Sequence, residues 1–490
     1  MPEGALFSRM SSNSTANEML LADEASGKFM PLRQRRNGSP FTIGIIGGGP
    51  GGLMTAYSLQ KLANRPLRVT LFEASSRVGG KILTPRFQNA PMNYEAGAAE
   101  FYDYSQIEED ALKDLVLELG LPISPMGGSA VIIDDHVLAN LDDVRDHLGV
   151  EALRQLMAFD RTSRDQMVPE AFYHSDFPEG SHERPDSRSF ESLLANVTDP
   201  SARRYVETLI HSDLATEPDK TSPVYGLQNY LMNDPAYMRL YGIDGGNERL
   251  PRELAARLVA DILLEHSVKS VEKSGDHRLR ICSEHAGKVC KNEFDFVVIA
   301  LPHNQLASIS YPQERLADAM QQHFDYYNYP AHYLRITLLF ERPFWRKLTS
   351  DSYWMLDRFG GCCLYDESSR VPESKYGVLG WLIGGTSALE MSRLNDQQLI
   401  DEALKSLPSF LSCGRRVLLE GHVHRWVGAV NAMPGGIVPR SHDRRHQPEP
   451  TMHPHLFVVG DYLFDSTLNG VLDSAEFVAS WLAARMNDQS

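Results

Sequence analysis

Hydrophobic and polar positions change their rhythm along this chain and divide it into distinct stretches. Residues 1–40 carry Ser, Asn, Arg and Glu with no apolar period, the composition of a disordered tail. From Phe41 the rhythm becomes regular. Residues 42–46 form a short β-rich run. Residues 50–63 place Leu53, Met54, Tyr57 and Leu62 at helical spacing, and residues 68–72 return to a strand pattern. Strand, helix and strand in that order predict a βαβ unit. Residues 295–301 read as a continuous apolar strand ending at Pro302, as a strand buried in a parallel sheet should. Runs at 333–340 and 376–383 predict strands of a second sheet, 456–459 another strand, and 473–486 a closing helix. Residues 105–240 look mainly helical, with loops at 126–129 and 177–189.

The first strand and first helix are joined by Gly47-Gly48-Gly49-Pro50-Gly51-Gly52, which matches G-x-G-x-x-G. Such a match is weak alone. Here it follows a strand, opens a helix and has Glu73 about 20 residues on, at the end of the next strand. Each residue has a physical task. Gly47 makes the tight turn, Gly49 lets the backbone approach a pyrophosphate, and Gly52 lets helix and strand pack closely. The helix start, with Pro50 and Gly51, offers unpaired N–H groups and a partial positive charge to phosphates. A carboxylate at Glu73 accepts ribose hydroxyls and repels a 2′-phosphate, so the pattern predicts an unphosphorylated adenine dinucleotide.

Composition narrows the partners. The 490 residues suggest about three domains' worth of chain. The net charge of −16, from 48 Lys+Arg and 64 Asp+Glu, argues against nucleic acid and against an anionic membrane surface, and mildly favours a cationic small molecule. Cys282, Cys290, Cys362, Cys363 and Cys413 are odd in number and lack C-x-x-C spacing, so a disulfide framework is not expected and a reducing, cytoplasmic setting is. No stretch approaches the roughly 18 consecutive apolar residues that span a bilayer. His422 and His424, His442 and His446, and His453 and His455 come in pairs, short of the three or four convergent ligands a metal needs, so no metal is expected.

After Glu73-Ala74 comes Arg77-Val78-Gly79-Gly80-Lys81. This stretch resembles the E-x-x-x-R-x-G-G-[KR] segment of the flavin-containing amine oxidase superfamily, which includes monoamine, polyamine and L-amino acid oxidases and, more distantly, phytoene-type desaturases. The resemblance continues in order. Tyr94–Glu100 resembles the E-x-G-A segment beneath the flavin, with Gly97 and Ala98 at its centre. Gly245–Pro251 resembles a G-G-x-x-x-L-P turn, and the stretch 265–268 one whose valine, here Val268, meets the adenine. Pro343-Phe344-Trp345 resembles a P-F-W segment, and Trp426 falls where the family places a tryptophan near the flavin. Val458–Asp461 resembles the closing motif, which implies Gly460 and Asp461 at the ribityl and pyrophosphate region. Gly470, Val471 and Leu472 are similar to the turn whose N–H groups face flavin N1 and O2.

The resemblance implies non-covalent FAD, since no cysteine lies between Trp426 and Pro434-Gly435. It implies an α/β fold: a glutathione-reductase-like Rossmann FAD-binding domain (41–104, 242–325 and 430–490) interleaved with an α+β substrate-binding domain (105–241 and 326–429). It also implies a homodimer. The chain departs from the pattern in three places. Arg335 stands where amine oxidases carry a lysine near flavin N5. Glu100 stands near the place of a carboxylate-clamping arginine. The paired tyrosines near Gly428 and Val471 are missing. Arg335, Glu100 and Trp426 are therefore the candidate catalytic residues. The alternatives are an Arg335 head group in solvent and a Glu100 that caps a helix or lies at the surface. Tyr225, Tyr230, Tyr237, Tyr241 and Phe101 offer an aromatic cage or, more commonly, core packing. The expected chemistry is hydride transfer from an amine or amino-acid C–N centre, with O₂ as acceptor and H₂O₂ released. A C–C desaturase or a flavin-binding protein without turnover is the alternative.

Overall fold

The computed structural model describes residues 39–487, apart from 108, 129, 174–185, 276–277, 348–350, 438–439 and 465. Of the expected tail, only 39 and 40 fall within it; the rest of 1–40 lies outside the described residues.

Two sheets position the site. The first has the strands Leu456–Val458, Phe296–Ile299, Phe41–Ile46, Leu67–Phe72 and Ala260–Leu263 side by side in that order, every neighbouring pair parallel. Its strands are apolar on both faces because both are covered. Ile43 and Ile45 pack against Leu53 of the Pro50–Leu62 helix and Leu482 of the Leu468–Asn487 helix. Ile46, Val297 and Ile299 pack on Ile281 and Phe294 of a three-stranded antiparallel sheet, Ser267–Ser274, Arg278–His285 and Lys288–Phe294. From Phe41–Ile46 the chain builds the sheet first to one side and then to the other. The carboxyl ends of the strands part at such a switch point and leave a crevice, and the glycine turn lies there.

The second sheet has seven strands: Leu418–Asn431, Pro330–Phe340, Gly377–Gly384, Cys362–Asp366, Tyr353–Leu356, Val131–Ile133 and His136–Leu138. Successive residues of a strand face opposite sides. Leu334, Ile336 and Leu338 therefore point one way, onto Leu399, Ile400 and Ala403 of the Asp396–Ser406 helix. Tyr333 and Arg335 point the other way. Across the ladder Tyr333 sits opposite Trp426, and Arg335 opposite Leu382 and His424. One sheet face thus collects residues from distant parts of the sequence.

The parallel strands fall within 41–104, 242–325 and 430–490. Those of the seven-stranded sheet fall within 105–241 and 326–429, except that Leu418–Asn431 runs two residues beyond. Residues 105–240 are less helical than their pattern predicts. They contain the strands Ile123–Met126, Val131–Ile133 and His136–Leu138, with Arg239–Ile243 at the end. At three to five residues these are too short for alternation to register. The closing helix begins at Leu468, ahead of the expected 473, because Leu468–Leu472 are helical as well as apolar. Among the described residues no helix is long and apolar enough to cross a membrane, and no cluster of His, Cys, Asp and Glu is arranged to hold a metal ion.

Candidate active site

A cavity of about 540 Å³ opens at the glycine turn and runs to the second sheet. At one end Gly47 adopts φ +112° and its N–H donates to Phe72 O at 2.8 Å. A Cβ on Gly52 would lie 2.0 Å from Gly47 O, so helix and turn touch backbone to backbone. By contrast, a Cβ on Gly49 would meet nothing nearer than Gly80 Cα at 3.8 Å. The space over Gly49 is open to the cavity. No side chain caps the Pro50–Leu62 helix, so its first-turn N–H groups are left for a ligand. Glu73 lines the same end. Its Oε2 accepts from Gly48 N and its Oε1 from Ser75 N, each at 2.8 Å. A carboxylate has about four acceptor sites, so two remain for hydroxyls.

The second loop docks onto the first. Gly79, at φ +110°, donates its N–H to Gly48 O at 2.8 Å. Arg77 folds back on this loop: Nη1 donates to Val78 O and Ile82 O, and Nη2 to Gly80 O at 2.7 Å. Lys81 reaches across to Asp461 and to Ala429 O. Gly97 admits no other residue, since a Cβ there would lie 1.8 Å from Lys81 O. Trp426 closes this wall with its indole N–H donating to Ala96 O at 2.7 Å.

The far end is built from the sheet face that carries Arg335. This guanidinium is 0% exposed. Nε donates to Glu95 O at 3.1 Å, Nη2 pairs with Glu367, and Cζ lies 4.6 Å from the Tyr365 ring centroid. Nη1 is buried with no hydrogen-bond partner. Burial opposes its charge, but the Glu367 carboxylate overcomes this and holds the group above its ordinary value. A second pair lies beside the first: Arg370 Nη1 donates to Glu95 Oε1 at 2.8 Å, and Nη2 to Ala99 O. Glu95 N donates to Glu367 Oε2 at 2.7 Å and locks the two pairs together.

Glu100 is different. Its Oε2 is buried on the cavity wall with no hydrogen-bond partner, and among the described residues it forms no ion pair. Burial raises its carboxyl above the usual range, against the pull of Arg335 and a hydrogen bond from Tyr365. Tyr102, Tyr333 and Leu382 complete this end.

A sequence model described as flavin containing amine oxidoreductase matches residues 50–482. The chain belongs to that family. Its cofactor is FAD. Among curated relatives, an L-amino-acid oxidase of Mus musculus is 23% identical over 65% of this chain, a stretch spanning 50% of the mouse protein. A flavin-containing amine oxidase A of Equus caballus is 25% identical over 56% of this chain and 52% of its own. The chain thus spans about half the length of these relatives. Among solved structures, putrescine oxidase bound to putrescine superposes with TM-score 0.69 at 20% identity, covering 91% of this chain and 99% of that one. A cyclohexylamine oxidase from Brevibacterium oxydans gives TM-score 0.65 at 18% identity, covering 92% and 100%. The fold is the α/β fold of this family, a Rossmann-type unit with a second sheet.

The residues present fit the family's flavin: an uncapped helix start, an open space above Gly49 and a carboxylate with spare acceptor sites meet along one cavity. Of the expected residues, Gly47, Gly49, Pro50, Gly51, Glu73, Ala74, Gly80, Lys81, Gly97, Ala98, Val268, Trp426, Gly460, Asp461 and Val471 line it, as do Glu100 and Arg335. Gly52, Arg77, Gly79, Gly470 and Leu472 stand behind the wall. Arg77 is occupied with its own loop's carbonyls, and Gly470 N donates to Thr467 Oγ1 at 3.1 Å. At the start of the last helix, Leu468 and Asn469 face the cavity together with Val471.

Two alternatives for the catalytic candidates fall away. Arg335 does not reach solvent, and Glu100 caps no helix; the next helix, Ala111–Glu118, is capped by Asp110. Tyr237 and Tyr241 are core; Phe101, stacked on Tyr241 at 5.4 Å, is buried and also lines the cavity. Tyr102 and Tyr333 escaped the sequence reading. The signal for Tyr333 was parity: two residues before Arg335 on one strand, it had to share its face.

Proposed function

We propose that this protein is an FAD-dependent oxidase of small cationic amines. One observation carries the reading: at the end of the cavity that begins at the glycine turn, Glu100 presents a buried carboxylate oxygen without a partner. The guanidiniums beside it are matched, Arg335 by Glu367 and Arg370 by Glu95. An ammonium group supplies both the missing charge and the missing donors, whereas a substrate carboxylate meets like charge. When bound, FAD supplies the two-electron acceptor: a hydride leaves the carbon bearing nitrogen, water hydrolyses the imine product, and O₂ takes up the electrons to give H₂O₂. The chain's part is to bind, orient and keep water out. Glu100 receives the ammonium and, with its raised proton affinity, takes the proton that frees the nitrogen lone pair. Arg335 holds the second sheet against the Glu95 segment, and Trp426 shapes the wall. The names of the two neighbouring structures, putrescine and cyclohexylamine oxidase, support an amine. Five free thiols support a reducing, cytoplasmic setting.

A second reading rests on Arg335 Nη1, which is buried without a partner and so can take one oxygen of an amino acid's carboxylate. The name of the mouse relative supports it; the surplus of acids around the guanidinium opposes it.

The test is anaerobic reduction of the flavin, followed by its visible absorption, across amines, amino acids and polyenes, then H₂O₂ on admitting air. Amines should bleach the flavin and yield one H₂O₂ each. Bleaching by amino acids alone selects the second reading, and bleaching by polyenes alone removes both.

A further inference from the structure

Asn469 is the second residue of the Leu468–Asn487 helix; it lines the cavity and is 7% exposed. Its Nδ2 donates to Asp110 Oδ1 at 3.2 Å. Asp110 caps the Ala111–Glu118 helix: Oδ1 accepts from Leu112 N and Lys113 N, each at 3.0 Å, and Oδ2 from Tyr104 N at 2.9 Å. A carboxyl group that accepts from three backbone N–H groups meets only the N–H side of an amide, so chemistry fixes which way Asn469 is turned. Its Oδ1 is then left buried with no hydrogen-bond partner. Such an oxygen costs stability that a donor arriving with a ligand restores.

The order of the parallel sheet decides which part of a dinucleotide passes Asn469. Glu73 follows the strand Leu67–Phe72, on one side of Phe41–Ile46. Ala300 and Val459 follow Phe296–Ile299 and Leu456–Val458, on the other side. The start of the last helix lies with these two. A Cβ on Gly51 would sit 3.1 Å from Val459 Cγ1, 3.6 Å from Val471 Cγ1 and 3.7 Å from Ala300 Cβ. With the pyrophosphate at the glycine turn and the adenosine ribose at Glu73, the flavin half of FAD leaves the turn on the side of Asn469. Pyrophosphate oxygens accept hydrogen bonds and cannot satisfy another acceptor. The flavin half carries donors: the ribityl hydroxyls and the ring N3–H.

We propose that Asn469 binds the cofactor through its side chain, with Oδ1 accepting from an O–H or N–H of the flavin half, and that Asp110 is the positioning residue that turns the amide to do so. The contact holds FAD before any substrate arrives, so it stands apart from the amine reading and is measured without turnover.

The experiment titrates deflavinated protein with FAD and with ADP, which carries the adenine half alone. Asn469→Leu keeps the size of the side chain and removes its oxygen. FAD should bind this variant about tenfold more weakly, as one hydrogen bond contributes, while ADP stays within about twofold of the parent. FAD labelled by a methyl group at N3 locates the donor: the difference between parent and variant disappears with it if the donor is N3–H, and persists if the donor is a ribityl hydroxyl. Asn469→Ala repeats the comparison if leucine prevents folding. Undiminished FAD affinity overturns the proposal, because water then satisfies Oδ1. Equal weakening of FAD and ADP also overturns it, because the substitution has then moved the glycine turn. Asp110→Ser keeps a capping side chain and withdraws the oxygen that meets Asn469. Its loss of FAD affinity should add nothing to that of Asn469→Leu in the double variant, and additive losses would remove the positioning role.

Discussion

Replacing Arg335 by methionine tests how the two halves of the cavity are held together. Methionine fits the space of the arginine stem but leaves the Glu367 carboxylate, 4% exposed, without its cation. Removing one partner of a buried pair costs about 3–5 kcal/mol, since the remaining charge has lost its compensation. For a chain of this size that lowers the thermal midpoint by roughly 4 °C. Adding Glu367→Gln removes the orphaned charge and keeps an oxygen for the Glu95 N–H, which donates to Glu367 Oε2 at 2.7 Å. The double variant should therefore recover most of the loss. Scanning calorimetry on the parent, both singles and the double gives the coupling directly. The partners of Arg335 are Glu95 O, Glu367 and the Tyr365 ring, none of them in the glycine turn, so Arg335→Met should purify yellow. A single variant within about 1 °C of the parent, or a double variant no better than the single, would refute the reasoning.

Three further outcomes follow from the geometry. Gly97→Ala forces a Cβ to 1.8 Å from Lys81 O and must displace the segment carrying Ala98 and Glu100; the protein should purify with little or no flavin, read from its visible absorption. Glu73→Ala leaves the Gly48 and Ser75 N–H groups without their acceptor and removes the expected ribose contact, so FAD affinity, titrated on deflavinated protein, should fall about tenfold to a hundredfold, and undiminished affinity would place the ribose elsewhere. Burial raises the Glu100 and Asp213 carboxyls, so the stability they contribute is complete below the ordinary carboxylate range, about pH 4, and is lost as pH rises through their higher folded values. The thermal midpoint of substrate-free protein should accordingly decline with pH above that range, less steeply in the double variant Glu100→Gln, Asp213→Asn; an unchanged slope would count against two buried acids.

The cofactor end was legible because its requirements are local. A tight turn, a close helix approach and an acid one strand later are dictated by neighbours in the chain, and Gly47, Gly52 and Glu73 meet them within a single βαβ unit. Arg77 shows the limit of that reading: its position was clear, but only the folded loop shows its N–H groups spent on Val78, Ile82 and Gly80 carbonyls. The short strands around Val131 and Arg239 were missed because three to five residues carry too little alternation to be heard against helical surroundings.

What the sequence determined by itself was backbone conformation and the handling of a dinucleotide, properties set by steric freedom at glycines and by the first turn of one helix. Only the tertiary structure decided how charge is distributed at the substrate end. The antiparallel register puts Arg335 on the face where Glu367 neutralises it, while Glu100, on the same cavity wall, keeps a buried oxygen without a partner. Burial there leaves each ionisable group dependent on whichever partner the fold supplies, and that pairing is a matter of three-dimensional packing, which residue spacing does not encode.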